Sequence, residues 1–340
     1  MQTLARSIAQ CRSPAEVTDA SAALVALQRR LMDAGIAGHQ AGLLISDLVD
    51  TLTRQFIILA EEELGPPPGP YAWLACGSQG RGEQSVHTDQ DNALIYADNL
   101  PEGADRWFAA LAERVTQGLA DCGIEHCPGG VGPDHADWRG SATAWRSAIQ
   151  QVIRVPETRN VMLASHYFDL RTVHGDPSLL AAIRADALRE ARANRLFIAR
   201  VKENALRTRA GVGRLRRWRT PLIGAHRGTL HLKQQGLLPV QQLAFAHAME
   251  AGIDALNTTH RLRQAADAGT MPPRHARDLE RVRNTVLELR NRAILEQMGA
   301  DAVPTNRIRL SDMSRLEQAH LKAALTLVRD AQNALGREIA

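Results

Sequence analysis

Lysine, cysteine, aromatic side chains and long uncharged runs are all scarce in this chain, and each scarcity closes off a class of protein. Only three of the 41 basic residues are lysines, Lys202, Lys233 and Lys322, so the abundance of arginine carries little functional information by itself. The four cysteines, Cys11, Cys76, Cys122 and Cys127, are scattered and form no C-x-x-C pair, which excludes a disulfide framework and predicts a reducing, cytoplasmic setting. The spacing around Cys122, His126 and Cys127 matches no zinc finger or ribbon, so buried thiols are the preferred expectation there. The uncharged run Gln234 to Met249 is short and broken by Pro239 and several glutamines, and the first residues lack an apolar signal core, so no membrane segment is expected. A formal charge of +4 is too small for a protein that coats nucleic acid by charge alone. Charged residues make up 23% and nearly balance in sign, which does not prevent collapse and excludes intrinsic disorder.

What is present reads as about two domains, at roughly 150 residues each. Ser13-Pro14-Ala15-Glu16 has capping-box spacing with proline at the first helical position, and predicts a helix carrying Val17, Leu24, Leu27 and Leu31. A second helical pattern runs from about Gln40 to Leu64 and stops at Gly65 and the proline cluster Pro66 to Pro70. Beyond it the spacing predicts a strand (YAWLAC), a glycine-rich turn (GSQGRGE), a second strand from Asn92 to Tyr96, and a helix from about Ala104 to Asp121. SHYFDLRTV fits a third strand. From about Pro177 onward no convincing strand is visible, and breaks near Gly211 to Gly213, Pro221 to Gly228, Gly236 to Pro239, Gly269 to Pro273 and Gly299 to Pro304 predict five or six helices. The expected architecture is α+β: a small mixed-sheet domain over 70–176, flanked by an N-terminal helical region over 1–65 and a C-terminal helical bundle over 177–340.

The informative stretch is CGSQGRGEQSVHTDQDNALIYA. Gly77 and Ser78 follow a strand directly, where glycine allows close backbone approach and the next amides offer donors to phosphate oxygens. Eleven residues after Ser78 comes Asp89, and then Asp91. On an extended backbone positions i and i+2 share a face, so the two carboxylates converge. Their mutual repulsion is relieved by a divalent cation held between them.

Each piece alone is weak, but together, between two strands, the pattern resembles the signature of the DNA polymerase beta nucleotidyltransferase superfamily. The extended form GSQGRGEQSVHTDQDNALIY is similar to a bacterial nucleotidyltransferase family related to the PII-uridylyltransferases and often fused to cyclic-nucleotide-binding and CBS domains. CPGGVGPDHADWRGSATAWR, SHYFDLRTVHGD, LHLKQQGLLPVQQLA and LNTTHRL extend the resemblance over roughly 45–335. The loop VGPDHADW departs from the apolar, Asn-containing stretch expected there. The resemblance implies a magnesium-dependent transfer of a nucleoside monophosphate from a triphosphate to an acceptor hydroxyl, with a protein acceptor in a signalling pathway. It implies two magnesium ions on Asp89, Asp91 and a third carboxylate, for which Asp169 on the expected strand is the candidate; a structural pairing of Asp169 with Arg171 is the alternative. Gly77 and Ser78 would orient phosphates. Arg81 is read as a phosphate contact positioned by Glu83, with a purely structural pairing of the two as the alternative.

The segment Arg189 to Arg219 holds eleven basic residues and two acidic ones, and outside it the chain carries 30 basic against 35 acidic. In one reading this is a solvated helix face. In the second, part of it, with Lys233, contacts triphosphate or an acidic acceptor. With only Phe197 and Trp218 available for stacking, the segment argues against nucleic acid as the acceptor. Two rival functions remain at this level: a sensor that binds a triphosphate without transferring it, and transfer to a small molecule.

Overall fold

The computed structural model describes residues 2–213, 216–300 and 303–339. Arg214 of the basic segment, and Asp301 and Ala302 within the expected break at Gly299 to Pro304, lie outside them. The chain divides into two compact units, one comprising residues 1–36, 40–152 and 163–187 and the other residues 37–39, 153–162 and 188–340.

In chain order the first part runs α1 (Gln2–Ala9), α2 (Pro14–Ser21), α3 (Ala23–Asp33), α4 (Gly38–Leu64), β1 (Tyr71–Ala75), a single helical turn α5 (Gly77–Gly80), β2 (Asp89–Gln90), β3 (Asn92–Tyr96), α6 (Ala104–Asp121), β4 (Glu125–His126), β5 (Arg139–Ser141), α7 (Ala142–Arg154), α8 (Thr158–Phe168), β6 (Arg171–Gly175) and α9 (Ser178–Ala193). The Ser13 hydroxyl caps α2 by accepting from the Glu16 amide at 3.3 Å, while the Glu16 carboxylate accepts from the Arg12 amide at 2.8 Å. This satisfies donors that the helix start cannot pair internally.

Four strands form a mixed sheet in the order β5-β3-β1-β6, with β1 antiparallel to β3 and β6, and β3 parallel to β5. All five residues of β1 are buried, which explains why YAWLA is a continuous apolar run rather than an alternation. Tyr71, Trp73, Ala75, Leu94 and Val173 join one core with Ile8, Val17, Leu48, Leu52 and Phe56 of the N-terminal helices and Phe108, Leu111 and Val115 of α6. On burial at roughly 25 cal/mol per Å² this shared core is the main source of the unit's stability. The N-terminal helices therefore pack in the same unit as the sheet, and the proline cluster is a connection within it.

Three expectations are corrected. SHYFDLRTV is not one strand: Ser165 to Phe168 end α8, Asp169 and Leu170 form the connection, and only Arg171 onward pairs in β6. Strands do exist beyond Pro177, since β7 (Thr229–His231) pairs antiparallel with β8 (Arg307–Arg309). And Gly236 to Pro239 is no break, because a π-helical turn (Lys233–Leu237) runs directly into α11 (Leu238–Ala251). Gly236 lies against Val286, where a side chain would collide, so the widened turn and the missing Cβ serve the same close approach. Two- and three-residue strands are too short to show a period of two in sequence.

The remaining helices are α10 (Arg195–Arg207), α12 (Thr258–Asp267), α13 (Pro273–Gly299) and α14 (Arg315–Ile339). Ten residues of α11 are buried, in keeping with a helix that is apolar all round and enclosed by neighbours. Among the described residues, no helix is long and apolar enough to cross a membrane.

Beside the π turn, His231 is pushed down to about 4 by burial, reinforced by the positive charges of Arg307, Lys233 and Arg290. Its Nδ1 accepts from the Gln234 amide at 3.2 Å, which protonation would forbid. The unfolded chain therefore binds a proton that the folded chain refuses between the ordinary histidine value and about 4, so stability falls as pH drops through that window. Urea unfolding across pH 4 to 7 should show an acid limb that flattens in His231→Gln, with the two proteins converging near pH 7.

Candidate functional site

The turn after β1 is built around glycines that other residues could not replace. Gly77 has φ of +53°, and a Cβ there would overlap the Asp91 carboxylate. A Cβ on Gly80 would overlap the Asp169 carbonyl and approach the Ala75 carbonyl at 3.0 Å. The glycine signature is thus what allows the turn to lie directly against both Asp91 and the backbone of Asp169. Within the turn, the Gly80 amide donates to the Cys76 carbonyl at 2.9 Å and the Glu83 amide to the Ser78 carbonyl at 2.8 Å. The Ser78 and Thr88 hydroxyls lie 3.3 Å apart.

Asp89 and Asp91 are aligned by the residues between and after them. Gln90 and Asn92 are buried, and their amides are fully occupied: Trp73 Nε1 donates to Asn92 Oδ1 at 3.1 Å, and Gln90 Nε2 donates to the carbonyls of Thr116 at 2.9 Å and Ile124 at 3.0 Å. Alternation along an extended segment then turns Asp89 and Asp91 to the opposite face, where both are half-buried. The Cys76 amide donates to the Asp91 carbonyl at 2.9 Å and fixes this segment to the end of β1.

Asp169 sits in the connection before β6 and is buried, with its Oδ2 accepting from Arg81 at 2.5 Å. Arg81 Nε donates to Glu83 Oε2 at 2.9 Å. Burial opposes the charge on this guanidinium, but the carboxylates of Asp169 and Glu83 outweigh it and hold Arg81 cationic. Asp169 is therefore paired with Arg81 and not with Arg171. Arg171 instead donates twice to Asp50 of α4, at 2.7 and 3.0 Å, and to the carbonyls of Gln79 at 3.2 Å and Gly80 at 3.4 Å. Gln79 Nε2 completes this clamp with a bond to Asp50 Oδ1 at 3.0 Å.

Asp50, Gln79 and Arg171 are positioning residues that motif reasoning passes over. A signal existed in α4: Gly42, Ser46 and Asp50 recur every four residues along the helix, and all three face the signature loop. Gly42 lies against Glu83, the Ser46 hydroxyl accepts from the Gln84 amide at 3.2 Å, and Asp50 takes Gln79 and Arg171. Asp50→Ala leaves the Gln79 amide buried without its acceptor and is expected to destabilise the protein by about 1–3 kcal/mol in urea unfolding. The same variant should lose activity beyond its loss of folded protein, because the turn is released.

Two thiols border the carboxylates. Burial, followed by the charge of Asp91, pushes Cys76 well up, and the same two causes push Cys127 up to about 11. Both are held in the neutral thiol form by these surroundings. Among the described residues no three His, Cys, Asp or Glu side chains are grouped to hold a metal ion. The pair Asp89 and Asp91 nevertheless fits a small hard cation, which takes one or two carboxylates and completes its shell with water and substrate phosphates. Gly77 keeps open the approach to Asp91 that a side chain would fill.

Lys233 lies in the other unit, exposed at the start of the π turn. Of the basic segment, Lys202 is buried and donates to Glu250 at 2.7 Å, and Arg200 donates to Glu203 at 2.8 Å, so neither is a ready anion contact.

A glycine turn after a strand, set against a D-x-D that leads into the neighbouring strand of a small mixed sheet and followed by a helical partner, defines a nucleotidyltransferase. Residues 22–159 match the family described as "Putative nucleotidyltransferase DUF294", and residues 195–339 match the "Putative nucleotidyltransferase substrate binding domain". The chain is a protein of this nucleotidyltransferase family and carries both of its domains. No curated protein matches it.

Proposed function

We propose that the protein transfers a nucleoside monophosphate from a triphosphate to an acceptor hydroxyl in a magnesium-dependent reaction, and that the acceptor is a protein side chain in a signalling pathway. The observation that carries the reading is the Gly77 turn lying against Asp91, with Asp89 and Asp91 sharing one face of an anchored segment. The acceptor oxygen attacks the α-phosphorus, the bond to the β-phosphate oxygen breaks, pyrophosphate leaves and the hydroxyl proton passes to solvent. Asp89 and Asp91 would hold magnesium, which supplies charge neutralisation on the triphosphate and a more acidic acceptor hydroxyl. Gly77 and Ser78 present backbone amides and a hydroxyl to the β and γ phosphates, so the protein's contribution is positioning and electrostatics. Asp169 is the third carboxylate of the proposal, and Arg81 orients it. The engagement of Arg81 by two carboxylates favours a positioning role for it over direct phosphate contact. Lys233 is assigned to the triphosphate or an acidic acceptor, and the protein acceptor rests on the likeness to PII modification.

The test is to incubate the purified chain with each labelled nucleoside triphosphate, magnesium and a cell extract. Label entering a protein band with release of pyrophosphate supports the proposal. Nucleotide binding without consumption points to a sensor, and label confined to the low-mass fraction points to a small-molecule acceptor.

A further inference from the structure

Several arginines of the helical unit are paired with carboxylates, among them Arg154 with Glu190, Arg200 with Glu203, and Arg263 with Glu280. A cavity of about 900 Å³ between the end of α10 and the last turns of α14 is lined by Arg209, Arg219, Arg329 and Arg337, and among the described residues no carboxylate lines it. Among the described residues Arg209, Arg219 and Arg337 join no ion pair, and Arg329 pairs only with its neighbour Asp330. Like charges gathered round one cavity repel, and an anion reverses the sign of that energy.

The walls are fixed before any ligand arrives. Gln332 on α14 is buried and donates to the carbonyls of Ala205 at 3.0 Å and Thr208 at 2.6 Å, tying α14 to the end of α10. Arg329 donates to the Gly213 carbonyl at 3.0 Å, and the Arg219 amide donates to the Gly211 carbonyl at 2.8 Å. Leu206, Ala210 and Val212 supply an apolar wall beside the guanidiniums. The volume suits a small organic ligand. Guanidinium forks match phosphate oxygens two at a time, which carboxylate-free arginine sites exploit.

We propose that this cavity, lined wholly by residues of the helical unit, binds a small molecule carrying a phosphate chain. The apolar wall takes the organic part, and Arg209, Arg219 and Arg337 take the phosphates, while Arg329 is held by Asp330 and the Gly213 carbonyl. The full-length protein carrying Asp89→Asn and Asp91→Asn serves as the calorimetry sample, without magnesium, so that binding at the glycine turn is weakened. The probes are tripolyphosphate, ATP and a single-stranded RNA oligonucleotide. Binding of tripolyphosphate or ATP with one site per chain supports the proposal if adding Arg219→Gln and Arg337→Gln weakens it by about tenfold or more. A control with Arg200→Gln and Arg263→Gln, which removes the same charge from paired positions, should leave the affinity within about twofold. ATP binding more tightly than tripolyphosphate assigns the apolar wall to the organic group, and equal binding assigns recognition to the phosphate chain; both support the site. Failure of either phosphate compound to bind, equal weakening in the control, or binding of RNA alone would overturn it. Circular dichroism of each variant separates loss of binding from loss of fold.

Discussion

Nucleotide consumption should fall by at least about a thousandfold when Asp89 and Asp91 are both replaced by asparagine, because two charges aimed at a polyanionic transition state are removed together. Pyrophosphate release, followed with a coupled assay, is the measurement. The folded state should be largely retained, because both carboxylates are half-buried and asparagine keeps their size and an acceptor oxygen, so the melting temperature should stay close to that of the parent protein. Loss of activity with retained or increased stability is the mark of a functional site rather than a structural one. Full activity in the double variant would remove these carboxylates from the chemistry and with them the transfer proposal.

Arg81→Leu should have the opposite profile. It leaves Asp169 and Glu83 buried with their shared cation gone, and the expected destabilisation is about 3–5 kcal/mol by urea unfolding. Combining it with Asp169→Asn should recover part of that loss, since the uncompensated charge is itself the penalty. A double-mutant cycle measures the coupling, which should exceed about 1 kcal/mol. A fully additive cycle would show that the close approach of Arg81 to Asp169 contributes nothing to the folded state. The two experiments separate the proposed roles: Asp89 and Asp91 are expected to carry function at some expense of stability, whereas Asp169, the third carboxylate of the proposal, is expected to contribute to stability as well through its pairing with Arg81.

Elements with long periodic patterns were legible in the sequence. The helix expected from about Gln40 to Leu64 is α4, the strand from Asn92 to Tyr96 is β3, and the helix from about Ala104 to Asp121 is α6. The glycine signature was legible because closely spaced glycines demand a tight backbone approach and a D-x-D on an extended segment demands a shared face, both of which are local requirements. SHYFDLRTV misled because Phe168 and Leu170 alternate around Asp169 as a strand would, while His166 to Phe168 also complete the apolar face of α8. Tertiary packing chose the helix: Phe168 is buried at the end of α8, and strand pairing to Ala75 begins only at Arg171.

By itself the sequence determined the long periodic elements, α4, β3 and α6, and where backbone must pass close to another group. Those properties depend on local stereochemistry: periodicity, the absent Cβ of glycine and the alternation of a strand. Only the tertiary structure decided which charges are neutralised and which are not. Asp50 meets Arg171 across 121 positions and Asp169 meets Arg81 across 88. Arg219 and Arg337 come to line one cavity with no carboxylate between them. Nothing local specifies such partners, because an ion pair is selected by where the packed core brings side chains and by what that burial does to an unpaired charge.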